Sequence, residues 1–169
     1  VGGGIYNNAS FTYSTISGGA ANTASGSYAT VGGGDYNLAG GFHSTVGGGC
    51  TDTANGAYAT VSGGYRSKAG NDYAVVGGGN DNQANNTYAV VSGGWSNRAN
   101  DWCSFVGGGY QNVASGQNAS VAGGYQNAAT NSYAAVGGGL NDTSAAAYSL
   151  TAGYRSVVPS SYSNSVALN

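Results

Sequence analysis

Few side chains in this sequence could do acid–base or nucleophilic chemistry, and none stands beside the partners such chemistry needs. His43 is the one histidine, with Asp35 and Asp52 nearby in the chain. A Ser–His–Asp arrangement works only when a preorganised pocket fixes the imidazole between nucleophile and carboxylate. His43 instead occupies a place where other copies of a repeated pattern carry Tyr, so it reads as a substitution within a column. The runs of two and three glycines suggest a phosphate cradle. That motif requires a helix N-terminus after the glycines and usually a lysine, and Lys68 is the only lysine here. Asn80-Asp81-Asn82 is oxygen-rich like a calcium loop but offers one carboxylate where such loops use several. Cys50 and Cys103 lie three repeats apart in different columns, outside bridging distance. The expectation is a protein with no catalytic residues, no metal and no cofactor.

Composition narrows the function classes. Charged residues are 6% of the chain, against about 25% in ordinary globular proteins. The four cations, Arg66, Lys68, Arg98 and Arg155, look scattered along the sequence and the formal charge is -2. Nucleic acid is excluded as a partner on that basis, because binding it requires clustered Lys and Arg to displace counterions. Membrane insertion by this segment is excluded too, since no apolar run approaches the roughly twenty residues of a spanning helix. The chain opens in mid-pattern at Val1, as a piece of a longer protein would.

The repeat is the dominant fact. With Val1 as position one, the same site recurs at Ile16, Val31, Val46 and onward to Thr151, always fifteen residues apart. The unit reads V-x-G-G-x-x-N-x-A-x-x-x-Y-A-x. Position three is Gly in all eleven copies, position four in all but the last (Tyr154), and position nine is Ala from Ala9 to Ala129 before Ser144 and Pro159. Tyr holds position thirteen in seven copies, and position seven is Asn in seven with Asp52, Ser67 and Asp142 as small polar stand-ins.

Helices are a poor fit, because each Gly inside one costs about 1 kcal/mol relative to Ala. A β-solenoid is a good one. Gly pairs such as Gly18-Gly19, Gly33-Gly34 and Gly63-Gly64 are the structural turns, since glycine tolerates positive φ. Tyr-Ala-x-Val before the glycines is a short strand, with positions fourteen and one on its inner face and thirteen and fifteen on its outer face. Asn-x-Ala is the second strand. One coil cannot bury a face alone, but stacked coils create a continuous core of Val, Ala and Ala or Ser columns. At about 4.8 Å per layer, eleven coils give a rod roughly 50 Å long. A ladder of Asn side chains would hold the register. The fold class is therefore all-β, a parallel β-solenoid (β-roll), with residues 1–150 regular and 151–169 an atypical last coil leading toward a following domain.

Segments such as Tyr28-Ala29-Thr30-Val31-Gly32-Gly33 and Ala24-Ser25-Gly26 resemble the YadA-like head repeats of trimeric autotransporter adhesins, as do Ser149-Leu150-Thr151-Ala152-Gly153 and Ser165-Val166-Ala167-Leu168-Asn169. The repeat type is also similar to that of phage and large-virus fibres. The resemblance implies a left-handed roll, a homotrimer with three chains side by side, and a place in an extracellular fibre on a cell surface or virion. The fifteen-residue period with its double or triple glycine departs from the shorter adhesin repeat.

Two columns could carry interactions. Position five is the most variable and includes Tyr65, Trp95, Tyr110 and Tyr125, aromatics beside Gly turns that could stack on sugar rings or pack on a host-surface protein. Position fifteen includes Val75, Val90, Phe105 and Leu150, more apolar than a solvent face needs and suited to a subunit junction. Sequons at Asn8, Asn85, Asn118 and Asn141 bear on the matter only if a eukaryotic host makes the protein. The reading that follows is a non-catalytic structural and adhesive rod or head module. A pure spacer and an ice-binding solenoid are the alternatives, the latter limited by position fifteen holding Thr only at Thr15, Thr30, Thr45 and Thr60.

Overall fold

The computed structural model describes residues Val1–Asn169 and is an all-β parallel solenoid of eleven coils. Two parallel eleven-stranded sheets run its length. One is built from positions eight and nine, beginning with Asn8–Ala9, and the other from positions fifteen and one, beginning with Thr15–Ile16. Isolated parallel bridges at position five, from Ile5↔Ala20 to Tyr125↔Leu140, add a third ladder. Most strands are two residues long, yet hydrogen bonding extends round the whole coil: of 106 backbone bonds, 82 lie outside the regular strands.

Alternation places the small apolar residues inside. The Val column, the Ala column at position nine and the Ala column at position fourteen form one buried cluster, from Ile16 to Val136. The two sheets therefore face each other across a single thin core. Position-fifteen and position-eight side chains point outward from the two sheets.

The expected strand Tyr-Ala-x-Val is shorter than its sequence suggests. Position thirteen is a left-handed residue, with φ between 51° and 60°, in the tight turn that runs from position eleven to fourteen. In that turn the Ala29 N–H donates to Gly26 O at 3.1 Å. Only positions fifteen and one pair as strand. Position six is left-handed as well, from Tyr6 to Arg155. The chain thus reverses its backbone hand twice per coil at residues with side chains, not only at glycine.

The left-handed residue at position six turns the N–H of position seven inward, away from the neighbouring backbone. The Asn column answers that need. Asn97 Oδ1 accepts the Asn112 N–H at 2.9 Å, while Asn97 Nδ2 donates to Gly93 O in its own coil and Gly109 O in the next, both at 2.9 Å. The ladder therefore runs chiefly from side chain to backbone. Direct amide-to-amide bonds occur at two steps, Asn22 to Asn7 and Asn112 to Asn97. The same geometry fixes position four. A Cβ on Gly94 would collide with Gly109 O and press on Asn97 Nδ2, and its φ is +91°. Position three has room for a Cβ, as at Gly18 and Gly48, but Gly33, Gly63, Gly78, Gly108 and Gly138 hold φ between 123° and 153°, so its demand is conformational and not steric.

The last coil corrects the expected alignment. Gly139 pairs with Gly153 and Leu140 with Tyr154, fourteen residues on, after a register shift following Val136. Thr151-Ala152-Gly153 has one residue fewer than the Val136-Gly137-Gly138-Gly139 that it overlies. Tyr154 therefore belongs to position five and does not replace a turn glycine. Arg155 belongs to position six, Ser156 fills the Asn column and Val158 fills the Ala column. Pro159 falls one place later than expected, and two extra residues before Val166 restore its pairing with Leu150. Both sheets continue through this coil.

Asp52, Ser67 and Asp142 are the weak rungs, each with a buried side-chain oxygen that has no partner. Asp52 Oδ1 accepts the Ser67 N–H at 2.7 Å, but its buried Oδ2 has no partner. Oδ2 lies against Gly49 where the Asn37 amide nitrogen lies against Gly34, the place of a donor to glycine carbonyls. Burial raises the Asp52 pKa above its ordinary 3.8, opposed by the Ser67 N–H. The native carboxyl thus binds its proton more tightly than the unfolded one. Its adverse effect on folding is absent below about pH 3.8, grows as pH rises toward the native pKa and is constant above it. Asp52→Asn should restore the donor and raise stability at pH 7 by about 1–3 kcal/mol. The gain should shrink toward zero below pH 3.8 in denaturant melts compared across pH. An unchanged gain at acid pH would remove the ionisation argument.

Candidate binding surface

Two outer edges of the rod carry most of its exposed aromatic rings. At position thirteen, Tyr13, Tyr28, His43, Tyr58, Tyr73 and Tyr88 form a continuous stack with centroids 4.5–5.3 Å apart. His43 lies flat between Tyr28 and Tyr58, within 3° of each, with Phe42 edge-on against it. The fold thus places the only histidine in an aromatic column. The stack stops at Cys103 and Asn118 and resumes with Tyr133 and Tyr148. A left-handed conformation costs a residue with a side chain about 1–2 kcal/mol. Each stacked pair contributes about 0.5–1.5 kcal/mol, so a ring with two neighbours offsets that strain.

The second edge begins at position five. Tyr65, Trp95 and Tyr125 are exposed and Tyr110 is half-buried. Trp95 meets Tyr110 edge-on at 5.1 Å, and Tyr110 stacks on Tyr125 at 4.8 Å. Tyr65 stands two coils away from Trp95, separated from it by Asn80.

Beside these rings lies a feature that reading along the chain did not reveal. Arg66 and Arg155 occupy position six, and Lys68 and Arg98 occupy position eight. All four cations of the chain therefore project from one face. They are scattered along the sequence but not around the rod. Wrapping at fifteen residues brings Arg66, Lys68 and Arg98 within two coils of one another, with Arg155 four coils farther along the same face. Of the six aspartates, Asp52 and Asp142 are buried in the Asn column, Asp72 and Asp101 lie at the opposite turn, and Asp35 is three coils from Asp81. Asp81 is thus the carboxylate within the cationic stretch, and it accepts the Ser96 hydroxyl at 3.3 Å.

Positions six and eight bound a shallow groove along this face. One section, of about 500 Å3, is lined by Thr51, Thr53, Arg66, Lys68 and Gln83 with Tyr65 at its edge. It adjoins at Asp81 a second section of about 520 Å3 lined by Arg98, Gln111, Val113 and Gln126. The Gln126 amide donates to Gln111 Oε1 at 2.8 Å, which stiffens the far wall. Position-six side chains stand on left-handed residues, so they lean over the groove from a fixed turn.

Asn80, Asp81 and Asn82 do not converge. Asn80 is in the position-five ladder, Asp81 is in the groove wall, and Asn82 is inside the rod donating to Gly78 O and Gly94 O. No group of three or more His, Cys, Asp or Glu comes together anywhere. Cys50 and Cys103 are free thiols. No helix is long and apolar enough to cross a membrane. On the other sheet, Val75 and Val90 are half-buried while Phe105 and Leu150 are exposed, all four in the outward column at position fifteen.

No protein-family model matches the chain, and no curated protein matches it in sequence.

The balance between strain and stacking is testable at Tyr73. Tyr73→Ala keeps the left-handed demand and loses both stacks, so stability should fall by about 1–3 kcal/mol. Tyr73→Gly loses the same stacks but relieves the φ of 58°, and should melt at a higher temperature than the Ala variant. Equal melting temperatures would show that the turn carries no strain there.

Proposed function

We propose that this chain is a structural and adhesive module of an extracellular fibre, a stiff rod that presents one polar, aromatic-edged face to a glycan or surface-protein partner and catalyses nothing. One observation carries this reading: all four cations and a row of exposed aromatics gather on a single face of a regular solenoid. Such a face is shallow and open, suited to holding an extended ligand. The interior supports rigidity, since every coil is tied to its neighbours by backbone bonds and most of them by Asn bonds as well. Homotrimer formation fits the opposite sheet. Its outward column includes Val75, Val90, Phe105 and Leu150, and burying these against partner chains would leave the cationic face open.

Light scattering on a sizing column should give a mass three times the 16.5 kDa of the chain. Phe105→Ser combined with Val90→Ser should shift it toward the monomer. A monomeric parent chain at micromolar concentration would end the trimer proposal. A broad glycan array and a surface-protein panel test adhesion directly. Silence on both would leave the rod as a spacer.

A further inference from the structure

We infer that the groove between positions six and eight binds a linear acidic polysaccharide, lying along the rod axis, in which a carboxylate recurs on every second sugar. This inference rests on the adhesive reading and specifies its ligand class.

The argument begins with spacing. Tyr65, Arg66 and Lys68 come from the fifth coil, and Trp95 and Arg98 from the seventh. An exposed aromatic and a cation thus recur together after two coils. The intervening coil supplies neutral Asn80 and Gln83, with the acid Asp81, at the equivalent places. Two coils are about 9.6 Å along the axis, twice the strand spacing. A pyranose unit in an extended chain is about as long as one coil is deep. A sugar chain along the groove would therefore place successive units on successive coils. Units over the fifth and seventh coils would meet a cation, with the Tyr65 ring lining the groove and Trp95 at the matching position on its outer edge, and the unit between them would meet Asp81 and Gln83.

The chemistry of each place follows. Arg and Lys pair with carboxylates, the guanidinium through two parallel N–H donors. Asp81 repels a carboxylate on the intervening unit and accepts hydrogen bonds from its hydroxyls. The tyrosine and tryptophan rings offer flat apolar faces to the C–H surface of a pyranose. Beyond the seventh coil, Gln111 and Gln126 continue the groove with neutral hydrogen-bonding amides. A polymer with an acid on every unit would bring a carboxylate against Asp81. A neutral polymer would leave Lys68 and Arg98 without partners.

The test uses the whole chain and three defined oligosaccharides of equal length: a hyaluronan octasaccharide, with a carboxylate on alternate units, its carboxyl-reduced form, and octagalacturonate, with one on every unit. Titration calorimetry should rank hyaluronan first, by tenfold or more over each of the others at low salt. Raising salt from 0.05 to 0.5 M should weaken the acidic interaction. Lys68→Ala with Arg98→Ala should remove the preference while leaving the melting temperature unchanged, because both side chains are exposed. Asp81→Asn with Gln83→Arg removes the carboxylate from the sixth coil and puts a cation there, so that three successive coils carry one, and should invert the ranking toward octagalacturonate. Equal binding of the reduced and acidic chains would overturn this inference and leave the adhesive reading standing. A preference for octagalacturonate by the parent protein would overturn the alternation alone. If none of the three binds but the array finds another glycan, the inference fails and adhesion survives; if no glycan binds at all, the glycan part of the adhesive reading fails with it.

Discussion

The inward-facing N–H at position seven is the constraint on which the rest of this rod depends. A buried amide hydrogen without a partner costs about 1–3 kcal/mol, and this one recurs in every coil. The Asn side chain meets it with Oδ1 and uses its other end to hold two glycine carbonyls. Those carbonyls come so close that position four must lack a Cβ. The absence of a Cβ at position four in turn leaves room for the next coil's carbonyl to approach. Asn at seven, Gly at four and the left-handed residue at six are one device, and none of them is useful alone.

Once that device sets the register, the core needs little. Small Val and Ala side chains fill the space between two sheets, and every rung presents the same problem to the next. Some polar substitutions are satisfied locally, whereas Ser44, Ser67 and Thr151 bury a hydroxyl without a partner. Ser144 and Ser149 replace two alanines in one coil and hydrogen-bond to each other at 2.6 Å, with Ser149 also donating to Ala146 O. Positions five, eight, twelve and fifteen contribute no side chain to this interior bonding and position six contributes only its backbone turn, so their side chains vary freely. The fold thus separates the residues that maintain it from those that give each coil an individual surface.

The sequence made the coils, their number and their core columns legible, because Val, Gly, Asn and Ala hold strict phase. It was less clear about backbone hand. Nothing in Tyr28 or Arg66 as residue types announces positive φ, and large side chains disfavour it. The stacked rings explain position thirteen only once neighbouring coils are in place. The last coil misled for a different reason. Counting by fifteen assigns Tyr154 to a glycine place, whereas pairing shows that one residue has been dropped before Gly153 and that Leu140 and Tyr154 share a rung. Registry is decided by the N–H at Ser156 reaching Asp142 Oδ1, an interaction that no column count can detect.

The cationic face was present in the sequence but hidden by its order. Arg66 and Arg98 are thirty-two residues apart along the chain, yet they stand on neighbouring columns two coils apart. Writing the repeat as columns for positions six and eight, rather than five alone, would have exposed the grouping. Its physical weight comes from the poverty of charge elsewhere. In a chain with only 6% charged residues, few competing groups exist to screen or redirect a ligand. A solenoid also fixes the distance between like residues at multiples of its strand spacing. Charge on such a surface acts as a ruler, and a polymer whose own charges recur at the same interval can engage several coils without bending.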